Sequence, residues 1–418
     1  MPRHEPIRNC SGFTLIEVLV TMSVFIVVMV IAAETFKNIV NVSSRLSKSE
    51  ESNIEGVIGL EVLRHDLEQI GFGLPWGFCR PASGTTDGSC ANTDISYLEA
   101  IDTTGLTLND SPGGVPRALA AIDSPDGFLS DFIALKGTTV GRSKASQRWT
   151  YINFHNFSTA SGRESRPASW PSNNLLASDK VTMVRANFNT DTDDHLLIGS
   201  PGDNTVFYND YGAIGADSLP QNDQQTHMVY GIDDADAPRM PFNRSDYFVS
   251  STAGTVPPFC APSTGVLYKM TVSHSDGAYA PNPLLDCVAD MQVVLGWDTS
   301  DKGLANSIDA WSSLPSEDTG DVTASGPSGI ATSIKSWLTD AESLREHLKM
   351  VKVYVLAQEG KMDRNFTFPQ ATMIVGGDGE GSLTRGGVPY TFAANQLNYR
   401  WKLYRITARP KNLLSNQR

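Results

Sequence analysis

Gly12-Phe13-Thr14-Leu15-Ile16-Glu17 opens the one long apolar run of this 418-residue chain, and a carboxylate stands five residues into it. The run covers residues 13–36, 24 residues in all. As a helix it measures about 36 Å, enough to cross a hydrocarbon core of about 30 Å. A segment that only had to rest in lipid would omit Glu17. A charged carboxylate in the middle of a membrane helix costs about 2.5–3.5 kcal/mol on insertion scales, so it marks a function with a partner to be named. Ahead of the run, Arg3 and Arg8 outweigh Glu5, a bias that keeps this end in the cytoplasm. A cleaved secretory signal fits poorly, because the run exceeds the usual apolar core and no small-x-small site follows it beyond Ile31-Ala32-Ala33. A plain single-pass anchor leaves Glu17 unexplained.

Residues 11–20, Ser-Gly-Phe-Thr-Leu-Ile-Glu-Val-Leu-Val, resemble the class III signal of type IV pilins and pseudopilins. The resemblance implies that a prepilin peptidase cuts between Gly12 and Phe13 on the cytoplasmic side and that Phe13 is then N-methylated. It further implies that Glu17, the fifth mature residue, pairs with a neighbouring subunit's amino terminus. Electrostatics agrees independently. The first turn's free N–H groups and dipole favour a carboxylate. An amine and a carboxylate at similar depth in a low dielectric attract strongly, and removing one strands the other.

Without the first 12 residues, 406 of the 418 remain, more than one small domain needs. The 35 Gly and 23 Pro point to loops and strands rather than a helical bundle. The formal charge is −13, and a leader with two Arg and one Glu takes the mature chain to about −14. Such acidity argues against nucleic-acid binding as the main activity. Cys10 would leave with the leader, so Cys79, Cys90, Cys260 and Cys287 remain. An even number outside the cytoplasm suggests two disulfides, with three connectivities open. Pairing nearest neighbours, Cys79–Cys90 and Cys260–Cys287, closes the short loops and is the expectation here. Zinc lacks support, because no C-x-x-C or suitably spaced His pair accompanies these cysteines. Free buried thiols are the other alternative.

The helical pattern continues past the apolar run. Ile39, Val42, Leu46, Ile54, Ile58, Leu60, Leu63, Leu67 and Ile70 recur mostly at three- and four-residue steps. No proline interrupts residues 7–74, Gly56 and Gly59 lower the local propensity and allow a bend, and Gly71-Phe72-Gly73 with Pro75 is a strong stop. One helix over residues 13–70 would be about 87 Å long. An irregular heptad pattern makes a coiled-coil stalk the weaker reading. Short strands are expected at 128–135, 149–157, 181–188, 195–198 and 206–208, and then at 266–273, 291–297, 350–357 and 397–403. Residues 284–290 read as a helical turn and 330–345 as a helix. The expected divisions are a leader (1–12), a membrane or filament-core half-helix (13–36), an amphipathic half (37–71) and a head (72–418). Within the head, a loop-rich β insertion (about 79–258) precedes a C-terminal sheet (about 259–418).

Leu63-Arg64-His65-Asp66-Leu67-Glu68-Gln69-Ile70-Gly71-Phe72 resembles the helix end of PilW-like minor pilins and of J-type pseudopilins of type II secretion. Asp290-Met291-Gln292-Val293 with Gly296-Trp297-Asp298-Thr299, and Tyr399-Arg400-Trp401-Lys402-Leu403-Tyr404, also resemble PilW-like strands. The chain departs from that pattern at Ala408-Arg409-Pro410-Lys411-Asn412. The resemblance implies a pilin-like α+β fold, with a long N-terminal helix on an antiparallel β-sheet head. It implies a non-catalytic minor pilin that helps initiate a pilus at or near its tip. The implied partners are prepilin peptidase, the major pilin and other minor pilins, the inner-membrane assembly platform and inner-membrane lipid. The implied location is the bacterial inner membrane with a periplasmic head, then the pilus surface. A type II secretion pseudopilin and a pilus-anchored adhesin are the alternatives.

Catalytic signatures are missing from the sequence: it holds no G-x-S-x-G, H-E-x-x-H, Walker loop or Rossmann fingerprint. The Gly-rich stretch 375–381 lacks the Lys-Ser/Thr of a phosphate loop and reads as a hairpin connector. No cofactor is expected, and calcium is the one candidate ion. Three acidic clusters could supply its oxygens: Asp191, Asp193 and Asp194, the best of them, then Asp233/Asp234/Asp236 and Asp298/Asp301. None has the closing glutamate of an EF-hand loop, and solvated acidic turns are the simpler reading. Asp194-His195 and His274-Ser275-Asp276 are adjacent pairs, not triads.

Overall fold

A computed structural model describes residues 14–82, 90–101, 108–125, 130–154, 174–187, 195–221, 225–234, 236–300, 305, 307–376 and 387–414. The chain opens with helix α1 (Leu15–Gln69). Strands β1 (Gly77–Pro81), β2 (Cys90–Asn92), β3 (Leu119–Ile122), β4 (Phe132–Gly137), β5 (Trp149–Asn153), β6 (Lys180–Asn187), β7 (His195–Ile198), β8 (Tyr208–Asp210) and β9 (Gln225–Asp233) follow. Then come β10 (Asn243–Ser250), β11 (Gly265–Val272), β12 (Tyr279–Trp297), β13 (Ala310–Ser312) and β14 (Ala324–Ser325). Two short helices, α2 (Ile330–Trp337) and α3 (Ala341–His347), precede β15 (Leu348–Glu359), β16 (Thr372–Val375), β17 (Val388–Thr391), β18 (Arg400–Ala408) and α4 (Lys411–Leu414).

The fold is α+β, with α1 lying on a large antiparallel sheet. That sheet runs β14-β13-β12-β11-β10-β4-β3, and β15 followed by β18 extends it from the other side of β12. A smaller sheet runs β2-β1-β7-β6-β9-β5, with β8 on β6; its β1–β7 pair is parallel. Strands β16 and β17 form a separate hairpin.

Alternation explains how β15 and β18 work. Val351, Val353, Val355 and Ala357 point into the core under α1, while Tyr354 and Leu356 point into a second cluster with Val375, Phe392, Tyr399 and Trp401. Both faces of β15 are therefore covered. On β18 the two sets are Trp401 on one side and Ile406 and Ala408 on the other.

Three expectations are revised. Residues 284–290 are not a helical turn but part of β12. The reason is a set of bulges: the register shifts twice against β11 and again between Val288 and Asp290 against β15, and Cys287 adopts φ 56°. These shifts send Leu285, Val288 and Met291 into one core, so their three-residue spacing imitates a helix. The segment 79–258 is also not separable from the C-terminal sheet. It supplies the small sheet, yet β3, β4 and β10 join the large one. Ile133, Leu135, Tyr247 and Val249 share one core with Leu63, Leu67 and Val353, so the seat of α1 needs both parts of the chain. The helix read over 330–345 is broken into α2 and α3, with Asp340 capping the second through the Ser343 N–H at 2.7 Å.

Strands β9 and β10 escape the sequence pattern because β10 begins Asn243-Arg244-Ser245-Asp246, all four buried. Arg244 forks onto Asp246 with both bonds at 2.8 Å and reaches Glu99 at 3.1 Å. Lys136 of β4, fully buried, pairs with Glu99 at 2.8 Å and with Asp110. Each charge there is matched and hydrogen-bonded, the condition for tolerating buried ions.

Candidate functional site: the amino-terminal helix

Helix α1 has two unlike halves. In the first, the stretch Leu15–Ser44 is apolar and long enough to cross a membrane, and none of its most apolar window is buried against the protein. Leu15 is 82% exposed and Phe25 62%. Thr14 caps the helix as a capping box: its hydroxyl accepts from the Glu17 N–H at 3.4 Å, and the Thr14 N–H donates to Glu17 Oε2 at 2.9 Å. The Thr14 hydroxyl also lies 3.0 Å from the same oxygen. Glu17 is the third helical residue, so its carboxylate meets the free N–H groups of the first turn. Thr14 is legible in the sequence too, since Thr14-Leu-Ile-Glu17 is itself the S/T-x-x-E signature of a capped helix start. Gly12 and Phe13 lie outside the described residues.

The second half is seated in the head. Leu60, Leu63, Leu67 and Ile70 are buried in the main core. Gly56 and Gly59 bring the helix close against β12 and β18. A Cβ on Gly59 would lie 2.2 Å from the Leu284 carbonyl oxygen, and one on Gly56 3.1 Å from the Tyr404 hydroxyl. Beside them, buried Asp66 accepts from the Tyr247 hydroxyl at 2.6 Å and pairs with Lys269. Burial, and then the Asp66 carboxylate, holds the Tyr247 phenol well above its ordinary range, so it stays a donor. Asp66 is thus the polar bolt between α1 and strands β10 and β11.

The helix end is closed by the far end of the chain. Gly71 and Gly73 take φ values of 80° and 71°, and the Gly71 N–H donates to the Lys136 carbonyl at 2.9 Å. The Asn412 side-chain amide donates to the Gln69 and Ile70 carbonyls at 3.2 and 3.3 Å, and Lys411 reaches Glu68 at 2.8 Å. Residues 408–412, where the sequence leaves the PilW-like pattern, therefore supply this cap.

Cys79 is joined to Cys90 and Cys260 to Cys287, each pair with Cα atoms 5.0 Å apart. The first links β1 to β2 in the small sheet, and the second ties the loop before β11 to the bulge of β12.

Asp191, Asp193 and Asp194 lie outside the described residues, as do Asp301 and most of the Gly-rich stretch 375–381. Among the described residues, no group of three or more His, Cys, Asp or Glu side chains is arranged to hold a metal. Asp298 is buried and closes a turn, accepting from the Ser300 N–H at 2.9 Å and the Ser307 N–H at 3.2 Å. Asp233 accepts from the Asp236 N–H at 3.0 Å. His195 packs on Trp76 with ring centroids 3.8 Å apart, and His274 lies 2.9 Å from the Asn243 side-chain oxygen.

The family model described as the prokaryotic N-terminal methylation motif matches residues 7–33. No curated protein matches the chain. A solved structure, a type IV-like pilin, TTHA1219 from Thermus thermophilus, is similar at 14% identity and a TM-score of 0.21, over 42% of this chain and 70% of that one. So distant a likeness carries no structural argument. The chain is one that carries the prokaryotic N-terminal methylation motif across the start of a long, exposed apolar helix.

Proposed function

We propose that this chain is a PilW-like minor pilin that co-assembles with other pilins and primes a type IV pilus at or near its tip, without catalysis. The observation that carries the reading is a carboxylate at the third position of a helix whose apolar first half is exposed throughout its described residues. In this reading prepilin peptidase removes residues 1–12, and Phe13 becomes a methylated amine beside Glu17. The capping box gives the Glu17 carboxylate an internal partner while the subunit waits in the bilayer. On assembly the amine of a neighbouring protomer takes over that role, in a medium where such attraction is strong. The head stays in the periplasm, where the two disulfides persist, and its bulk suits a filament end better than repeated stacking.

The test is Glu17→Ala in cells with a working pilus machine. The variant is expected to insert in the membrane, keep its head folded and lose its place in sheared filaments. Normal incorporation would contradict the proposal.

A further inference from the structure

A cleft of about 310 Å³ opens on the face of the large sheet opposite α1, between β12–β14 and the β16–β17 hairpin. Its size is at the lower end of ordinary small-ligand sites. The walls include Val294 of β12, Trp311 of β13, and Val375 and Val388 of the hairpin, with Gln292 and Asp123 as polar groups. Val388 is 47% exposed, so the hairpin wall is open to solvent.

Asp123 is the unusual member. Its backbone is fixed: the N–H donates to the Pro315 carbonyl at 2.8 Å, and the residue forms a β-bridge with Ser316. Among the described residues its carboxylate has no hydrogen-bond donor and no cation. Behind it stand two more carboxylates. Asp131 is buried and accepts from the Val293 N–H at 2.7 Å and the Ser124 N–H at 3.2 Å. Asp290 is buried and accepts from the Gln292 amide at 3.0 Å. Burial raises both well above the usual carboxylate range, Asp290 to about 6, and the charge of Asp123 adds to each shift. Neither forms an ion pair with a described basic side chain. Lys352, on the same wall, sits 4.2 Å from the centroid of the Trp311 ring.

Elsewhere in the head, Glu99, Asp110 and Asp246 are matched by Lys136, Arg117 and Arg244, and Asp66 by Lys269. Here Asp123 alone of the three acids lines the cavity, whose walls are otherwise largely apolar, while Asp131 and Asp290 stay buried behind it. We propose that this cleft binds a monovalent organic cation, an ammonium or guanidinium group on a short apolar stem. The head group pairs with Asp123, and the stem lies along Val294, Val375 and Val388. Charge complementarity supplies the selectivity, because a cation at Asp123 pairs with a carboxylate that has no other partner among the described residues. The proposal does not depend on filament assembly.

Titration calorimetry on the full chain in a nonionic detergent tests it, with n-butylammonium and agmatine as free cations, a capped pentapeptide bearing one arginine among alanines, and butan-1-ol as the neutral control. Saturable binding of the cations is expected, with butan-1-ol and the Asp123→Asn variant each weaker by about tenfold or more. Tighter binding of the peptide would trace the cation to a protein partner's side chain, and tighter binding of the free amines to a small solute. Both uphold the site. Val388→Trp, at an exposed position, fills the cleft and is expected to abolish binding with the thermal transition unchanged; it decides the matter if Asp123→Asn does not fold. No saturable cation binding, equal binding of butan-1-ol, or full binding by either folded variant would overturn the proposal.

Discussion

The two halves of α1 are one continuous helix with opposite needs. From Leu15 to Ser44 the apolar side chains among the described residues are exposed, and the one carboxylate near the start is held by its own cap. From Gly56 to Ile70 one face of the helix is built into the core, with glycines at its contact with β12 and a buried ion pair to β11. Helix propensity does not separate them. What differs is whether the surroundings are supplied by this chain or from outside, so the first half reads as an assembly surface and the second as a fixed mount.

The comparison breaks most sharply at Asp66. Asp66→Ala strands Lys269 and the Tyr247 hydroxyl in the core, and is expected to cost the head about 3–5 kcal/mol in chemical denaturation of the detergent-solubilised chain. A loss below about 1 kcal/mol would mean that the mount does not depend on this bolt.

A pH series sharpens the view of the head. Asp290 is raised from 3.8 to about 6, chiefly by burial. Between these values the folded chain keeps a proton that the unfolded chain has released, so this group makes stability fall as pH rises from about 4 to about 6. Asp290→Asn removes that penalty. The variant is expected to gain up to about 3 kcal/mol at pH 7 and nothing at pH 3.5, read from paired unfolding curves. His227 and His274, buried and each lowered to about 4, act with the opposite sign. The unfolded chain protonates first as pH falls below about 6.5, so the variant's curve climbs more steeply between pH 4 and 6.5 than the parent's.

Gly59→Ala comes next. Its methyl group meets the Leu284 backbone, which cannot rotate away, and about 1–3 kcal/mol is expected. A neutral result would show that the helix can lift off β12. Asn412→Ala removes two bonds to the helix end and should cost about 1 kcal/mol, visible as faster amide exchange at residues 71–74. Smallest of all, Glu17→Ala should leave the unfolding curve of the head within about 0.5 kcal/mol of the parent. A larger drop would erase the division between the halves.

Much of this was legible in the sequence. The apolar run, the amphipathic continuation to Ile70 and the Gly71-Phe72-Gly73 stop announced α1, and the strict alternation of Val351, Val353 and Val355 announced β15. What stayed hidden was made of long-range pairing. Strand β10 looks like a polar loop until Glu99, about 145 positions away in the chain, neutralises Arg244. Residues 284–290 look helical because bulges reset the alternation of β12. Gly56 and Gly59 suggested weakness, and only the β12 backbone beneath them shows close contact. Asp66 was visible as part of a resemblance, but its partners Tyr247 and Lys269 lie about 180 and 200 residues downstream. The Asp123 cleft has no local signature, since its walls come from five separated strands and a β-bridge residue.

The central claim concerns the free half of α1 and the end that prepares it for assembly. The measurement that bears on it most directly is the first residue and intact mass of the protein recovered from sheared filaments. The account predicts a chain beginning at N-methylated Phe13 and containing two disulfides. A product that retains residues 1–12, or a processed protein found in the membrane and never in filaments, would contradict it.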